Sequence, residues 1–252
     1  MRESQNRKAE APFREPVREL GVTASLEKRV LLWLAERIPS GVSSDHMTAM
    51  GLLAMVLGGA LYALSGRWPA LLLAVNGCLL LNWLGDSLDG TLARFRRLER
   101  PRFGFYVDHV VDALGAACLI GGLGLSTLMS PGVAAVLLLA YYLLSIDISL
   151  ATYALGRFRI SFAGVGGTEL RLALAGLNLA VLWWPEVTVF GTALRLFDVV
   201  GAAAALALLA TLLRSILGNT RQLLALERAR HSVDTWHREG RRAAEHSGWL
   251  PG

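Results

Sequence analysis

The chain is 252 residues long, 54% hydrophobic and 18% charged. Its mean hydropathy of +0.45 is too high for an ordinary soluble domain and typical of a polytopic membrane protein. The formal net charge of +5 sits between apolar stretches, so it reads as a topology signal and an attraction to anionic membrane lipid, not as a nucleic-acid footprint.

Residues 1–23 are charged and aperiodic, contain Pro12 and Pro16, and are expected to form a disordered cytoplasmic tail with no cleavable apolar core. Over 24–38, Leu26, Val30, Trp33, Leu34 and Ile38 recur at helical spacing among charged residues. That pattern predicts an amphipathic helix lying along the membrane interface. The run Pro39 to Thr48 breaks this helix, and Ser44 or Asp45 is the expected N-cap of the next one.

Six apolar stretches follow, at about 47–65, 69–88, 106–128, 132–156, 169–185 and 190–213, the fifth being the shortest. The expected fold is therefore all-α: a six-helix membrane domain over 44–217, then a polar cytoplasmic helix and tail over 218–252. With the N-terminus in the cytoplasm, 23 of the 25 Lys and Arg residues fall on that side and only Arg67 and Arg195 on the other. This bias places both termini in the cytoplasm, with Trp68, Trp183 and Trp184 at the far interface as an aromatic belt. Cys78 and Cys118 lie inside apolar stretches and read as small hydrophobes, so no redox chemistry is implied.

Four acids break the apolar pattern: Asp86 and Asp89 at the end of the second stretch, Asp108 and Asp112 at the start of the third. Each costs roughly 2.5 to 3.5 kcal/mol in a membrane helix, so four would cost on the order of 10 kcal/mol without a counter-charge. The second stretch runs toward the cytoplasm and the third returns, which brings both pairs to one interface. At about 1.5 Å per residue, Asp86 lies roughly 12 Å above Arg94, and Asp108 and Asp112 roughly 9 and 15 Å above Arg102. Spacings of three and four put each pair on one helical face. Two such pairs make an oxygen-rich cage suited to hard cations such as Mg²⁺ or Mn²⁺, whereas zinc would want a Cys or His cluster. Gly85, Gly90, Ala93 and Gly104 keep the surroundings small, and Arg94 adds a planar donor fork suited to phosphate.

The order D-x2-D-G-x2-A-R-x9-G-x3-D-x3-D over residues 86–112 resembles the signature of the CDP-alcohol phosphotransferases, and all its positions are matched. These are integral-membrane enzymes of phospholipid synthesis that release CMP. The resemblance implies that Asp86, Asp89, Asp108 and Asp112 hold two divalent ions, that Asp108 and Asp112 are catalytic with Asp112 as general base, and that Gly90, Ala93, Arg94 and Gly104 line the CDP-alcohol site. It implies a CDP-alcohol lipid donor, CDP-diacylglycerol in the bacterial members, an alcohol acceptor, and a place in the bacterial inner membrane with the active site near the cytoplasmic face. Ser44-Asp45-His46-Met47-Thr48 is similar to the family's Pro-Asn-x-x-Thr stretch with its first two residues replaced, so Asp45 and Thr48 are candidates for the mouth of the site.

Arg157, Arg159 and Arg171, at the return between the fourth and fifth stretches, are explained equally by topology and by binding of an acceptor or phosphate. Gly-Gly-Thr168-Glu169 nearby is similar to a stretch of the amino-alcohol branch, which would instead join a CDP-choline or CDP-ethanolamine-like donor to diacylglycerol. His109 and the intramembrane Asp147, Asn76, Asn82 and Asn178 read as helix-packing or interhelical hydrogen-bonding groups. Gly121, Gly122 and Gly124 would permit a homodimer. The rival functions are an intramembrane prenyltransferase, which would carry two separate Asp-rich motifs in a longer bundle, and a cation transporter or structural membrane protein, in which an acidic path would continue across the bilayer.

Overall fold

The computed structural model describes residues 24–155, 167–189 and 191–246; residues 1–23, expected above to be disordered, and Arg157 and Arg159 lie outside the described residues. Among the described residues the protein is mostly helical. In chain order the elements are α1 (Ala24–Ala35), α2 (Ser44–Ser65), α3 (Leu71–Phe95), α4 (Pro101–Leu125), α5 (Pro131–Leu155), α6 (Gly167–Trp183), strands β1 (Glu186–Val189) and β2 (Thr192–Arg195), and α7 (Leu196–His246). Among the described residues, α2, α3, α4, α5 and the Leu196–Arg228 part of α7 are long and apolar enough to cross a membrane. The fifth expected stretch forms α6, which has only 17 residues. The result is an all-α integral membrane bundle.

Helix α2 is the centre of the fold. It packs on α3 and α4; α3 carries α1 and α6 on its other sides, α4 leads to α5, α5 packs along α7, and α7 touches α6. Backbone-close crossings made by glycine hold α2 in place. A Cβ at Gly59 would collide with the Cys118 carbonyl of α4, and one at Gly122 with the carbonyl of Gly59. At the α2–α3 crossing, a Cβ at Gly85 would lie 2.6 Å from the Met47 carbonyl oxygen and 2.8 Å from the Gly51 Cα. Small residues thus substitute close backbone packing for the hydrophobic drive that lipid removes. Gly122 and Gly124 are used up in this way, the latter against Ala134, whereas Gly121 faces open space.

The tightly packed core lies at one end of the bundle. Tyr62, Leu72, Val75, Leu79, Leu119, Leu123, Met129, Val181 and Phe197 form one buried cluster drawn from the end of α2, the first half of α3, the end of α4 and its connection to α5, the end of α6 and the start of α7. A hydrogen-bonded chain crosses it: Tyr62 donates to Asn178 Oδ1 (2.7 Å), Asn178 Nδ2 to Asn76 Oδ1 (2.7 Å), and Asn76 Nδ2 to the Ala175 carbonyl (3.2 Å). The expected interhelical role of Asn76 and Asn178 is what the structure has. Asp147 behaves likewise, accepting a hydrogen bond from Ser215 of α7 at 2.5 Å.

Several boundaries differ from those read in the sequence. The N-cap of α2 is Ser43, whose hydroxyl accepts from the His46 amide while the His46 ring answers to the Ser43 amide. A capping box with His in place of Glu or Gln gives no sequence signal of the usual kind. Helix α1 ends at Ala35 with Leu31 and Ala35 buried and Val30, Leu32 and Trp33 exposed. Strands β1 and β2 form an antiparallel hairpin, Glu186 opposite Arg195 and Val189 opposite Thr192, turned at Gly191 with φ +82°. The β-branched run Val187-Thr188-Val189 and the following glycine were its available signal. Beyond the apolar part, α7 continues unbroken to His246, 51 residues in all or about 76 Å.

Candidate functional site

The site lies at the end of the bundle opposite the core, where α3 finishes and α4 begins. Arginine holds this turn in place. Arg96 donates to the carbonyls of Ile38 (3.0 Å), Pro39 (2.9 Å) and Val42 (2.5 Å), tying the end of α3 to the linker that precedes α2. Arg100 pairs with Asp45 and rests over the Phe103 ring at 4.4 Å, tying the start of α4 to the start of α2. Between them Arg97 has φ 56°, and the Leu98 amide bonds back to the Ala93 carbonyl at 2.9 Å. This is a helix end of the type that ordinarily uses glycine. Asp45 therefore serves the scaffold of the site through Arg100.

The turn fixes the register of the two helices so that acids from both converge. Asp86 of α3 and Asp108 and Asp112 of α4 each offer a carboxylate oxygen, and these oxygens lie within 4.8 Å of one another. Asp86 and Asp108 are half-buried and Asp112 is exposed. Asp89 stands beside this group. Its Oδ2 accepts from Thr48 Oγ1 at 2.7 Å and its Oδ1 from the Gly90 amide at 2.5 Å. Thr48 thus reaches the site from α2, across the crossing that Gly51 and Gly85 make possible.

Arg171, at the start of α6, reaches into the same acids. One guanidinium nitrogen donates to Asp86 Oδ2 at 2.7 Å, and Nε donates to Asn82 Oδ1, also at 2.7 Å. Asn82 is buried and donates in turn to the Gly51 carbonyl at 3.2 Å. The sequence singled out Arg171 as a basic residue of the return and Asn82 as a packing group; that they meet at Asp86 has no signal in a chain where they are 89 residues apart.

Of the other positions expected here, Gly90 carries the Arg94 side chain: a Cβ at Gly90 would lie 3.3 Å from an Arg94 guanidinium nitrogen. The Arg94 guanidinium also donates to Thr91 Oγ1 at 3.4 Å, and it is exposed. Ala93 is half-buried, and a Cβ at Gly104 would meet open space. His109 bonds through Nδ1 to the Phe105 carbonyl at 2.8 Å and stacks on that ring, in keeping with a packing role. Chemically, three oxygen donors from rigid helices fit a hard divalent cation. With an exposed guanidinium and open space beside them, the residues present suit a phosphate-bearing ligand.

No family model matches the chain. A curated protein similar to it is the archaetidylinositol phosphate synthase of Pyrococcus horikoshii, 25% identical over 143 residues, which are 57% of this chain and 68% of the relative.

Proposed function

We propose that the protein is an integral-membrane CDP-alcohol phosphotransferase. It transfers a substituted phosphate, phosphatidyl from CDP-diacylglycerol, to an alcohol acceptor and releases CMP in phospholipid synthesis. The observation that carries this reading is the convergence of Asp86, Asp108 and Asp112 from two antiparallel helices, inside a motif that also supplies Gly90, Ala93, Arg94 and Gly104. The name of the Pyrococcus relative supports a membrane-lipid setting and puts inositol phosphate first among acceptors to try.

In this reading Asp86, Asp89, Asp108 and Asp112 hold two divalent ions, Mg²⁺ or Mn²⁺. Bound there, such ions would neutralise charge on the phosphoryl oxygens. Thr48 and the Gly90 amide fix the orientation of Asp89. Arg94 faces the phosphates of the donor, and the open space at Gly104 leaves room for the nucleotide. Asp112, the exposed acid of the group, takes the proton of the acceptor hydroxyl as it attacks the alcohol-side phosphorus. The active site faces the cytoplasm, as the distribution of basic residues implies.

The test is CMP release by purified protein with Mg²⁺ or Mn²⁺, CDP-diacylglycerol, and glycerol phosphate, inositol phosphate or serine in turn, the lipid product being identified by mass. A parallel reaction pairs CDP-choline or CDP-ethanolamine with diacylglycerol. Asp108→Asn is expected to abolish turnover, and wild-type turnover in that variant, or the absence of CMP from every pairing, would overturn the reading.

A further inference from the structure

Three carboxylates whose oxygens approach within 4.8 Å repel one another. A cation already stands among them. Arg171 donates to Asp86 and to Asn82, at 2.7 Å each. The ion pair is partly sheltered, with the Arg171 side chain 19% and that of Asp86 32% exposed. A divalent ion at Asp86, Asp108 and Asp112 would answer the same repulsion at the same carboxylate with twice the charge. It would also repel a guanidinium held against Asp86.

The two polar contacts of Arg171 are unlike in kind. The bond to Asp86 is to a charged group that a metal would claim; the bond to Asn82 is to a neutral amide, itself anchored to the Gly51 carbonyl at 3.2 Å. We infer that Arg171 is an exchangeable counter-cation: it neutralises the acidic group through Asp86, and a divalent ion entering that group displaces it while the Asn82 bond serves as pivot. This rests on the reading of the acids as a metal site given above. The displaced nitrogen becomes a donor available to an anion beside the ion, which couples metal occupancy to anion capture.

The inference has a sign that a merely structural bridge would not share. If Arg171 only braces α6 against α3, removing it loosens the acids and weakens metal binding. If it competes with the metal, removing it tightens metal binding. The experiment is a Mn²⁺ titration of the full chain in detergent micelles, with free Mn²⁺ followed by electron paramagnetic resonance and thermal melting recorded alongside. Arg171→Gln is expected to lower the half-saturating Mn²⁺ concentration about tenfold or more, to melt below wild type without metal, and to gain more than wild type from saturating Mn²⁺.

A half-saturation at or above the wild-type value overturns the exchange. Should Arg171→Gln not fold, Arg171→Lys decides: it keeps the charge but not the planar two-point hold. It is expected to shift half-saturation the same way by a smaller factor, and no shift or an upward one overturns the inference. Asp108→Asn separates the two readings. Mn²⁺ binding that depends on Asp108 but ignores Arg171 overturns the exchange alone, whereas a wild type that binds no Mn²⁺, or binding indifferent to Asp108, overturns both.

Discussion

Thr48 and Asp89 are 41 residues apart in the chain and joined by a 2.7 Å hydrogen bond. A carboxylate with two donors is fixed in orientation, and losing one leaves a partly buried acceptor short of a partner at a cost of about 1 to 3 kcal/mol. Thr48→Val, which keeps the shape and removes the hydroxyl, should therefore slow CMP release roughly tenfold, with Thr48→Ser recovering most of it; steady-state kinetics of both variants would check this. Asp112→Asn should behave differently, because Asp112 is the exposed acid proposed to take the acceptor's proton. Its kcat for CMP release should fall by roughly two orders of magnitude or more, while donor binding weakens much less. An equal loss in donor affinity would shift Asp112 to a purely binding role.

At the scale of the helix, the decisive contacts are made where side chains are missing. Replacing Gly122 by Val forces α4 away from Gly59, and overpacking of this kind costs about 1 to 3 kcal/mol. Gly121→Val, one residue away but facing open space, should be close to neutral. Comparing the melting temperatures of the two variants in detergent checks the crossing. Much of this level was legible beforehand, because apolar length alone marks membrane helices, and a spacing of four places Asp108 with Asp112; Asp89, read as the partner of Asp86, instead holds Thr48. The β1–β2 hairpin was not, since its short strands are embedded in an apolar run that reads equally well as span. Nor was the partnership of Arg171 with Asp86, because sequence spacing reports neighbours within a helix and is silent on which helices pack together. The Ser43 cap escaped for a local reason, His46 doing the work usually given to a carboxylate or amide.

For the molecule as a whole, the proposed orientation puts Arg67 on the side opposite the acids and the linker at Ser40 on the same side as them. In a background lacking Cys78 and Cys118, a membrane-impermeant maleimide added to intact cells should label Arg67→Cys and spare Ser40→Cys. The reverse pattern would turn the protein over and with it the access of a cytoplasmic nucleotide to the site. The long α7 belongs to the same picture: it starts at the core end and runs the length of the bundle, so its polar continuation extends from the face where the acids lie.

The core around Tyr62, Leu72, Met129 and Phe197 sits at the far end from Asp86 and Asp112. Free energy of local opening follows the density of buried contacts, so it should fall from one end of the bundle to the other. Amide deuterium uptake would then trace a gradient along α2, α3 and α4, slowest near Tyr62 and fastest near the start of α4. A protein organised in this way can open the end that carries the acids to a bulky ligand while the packed end stays closed.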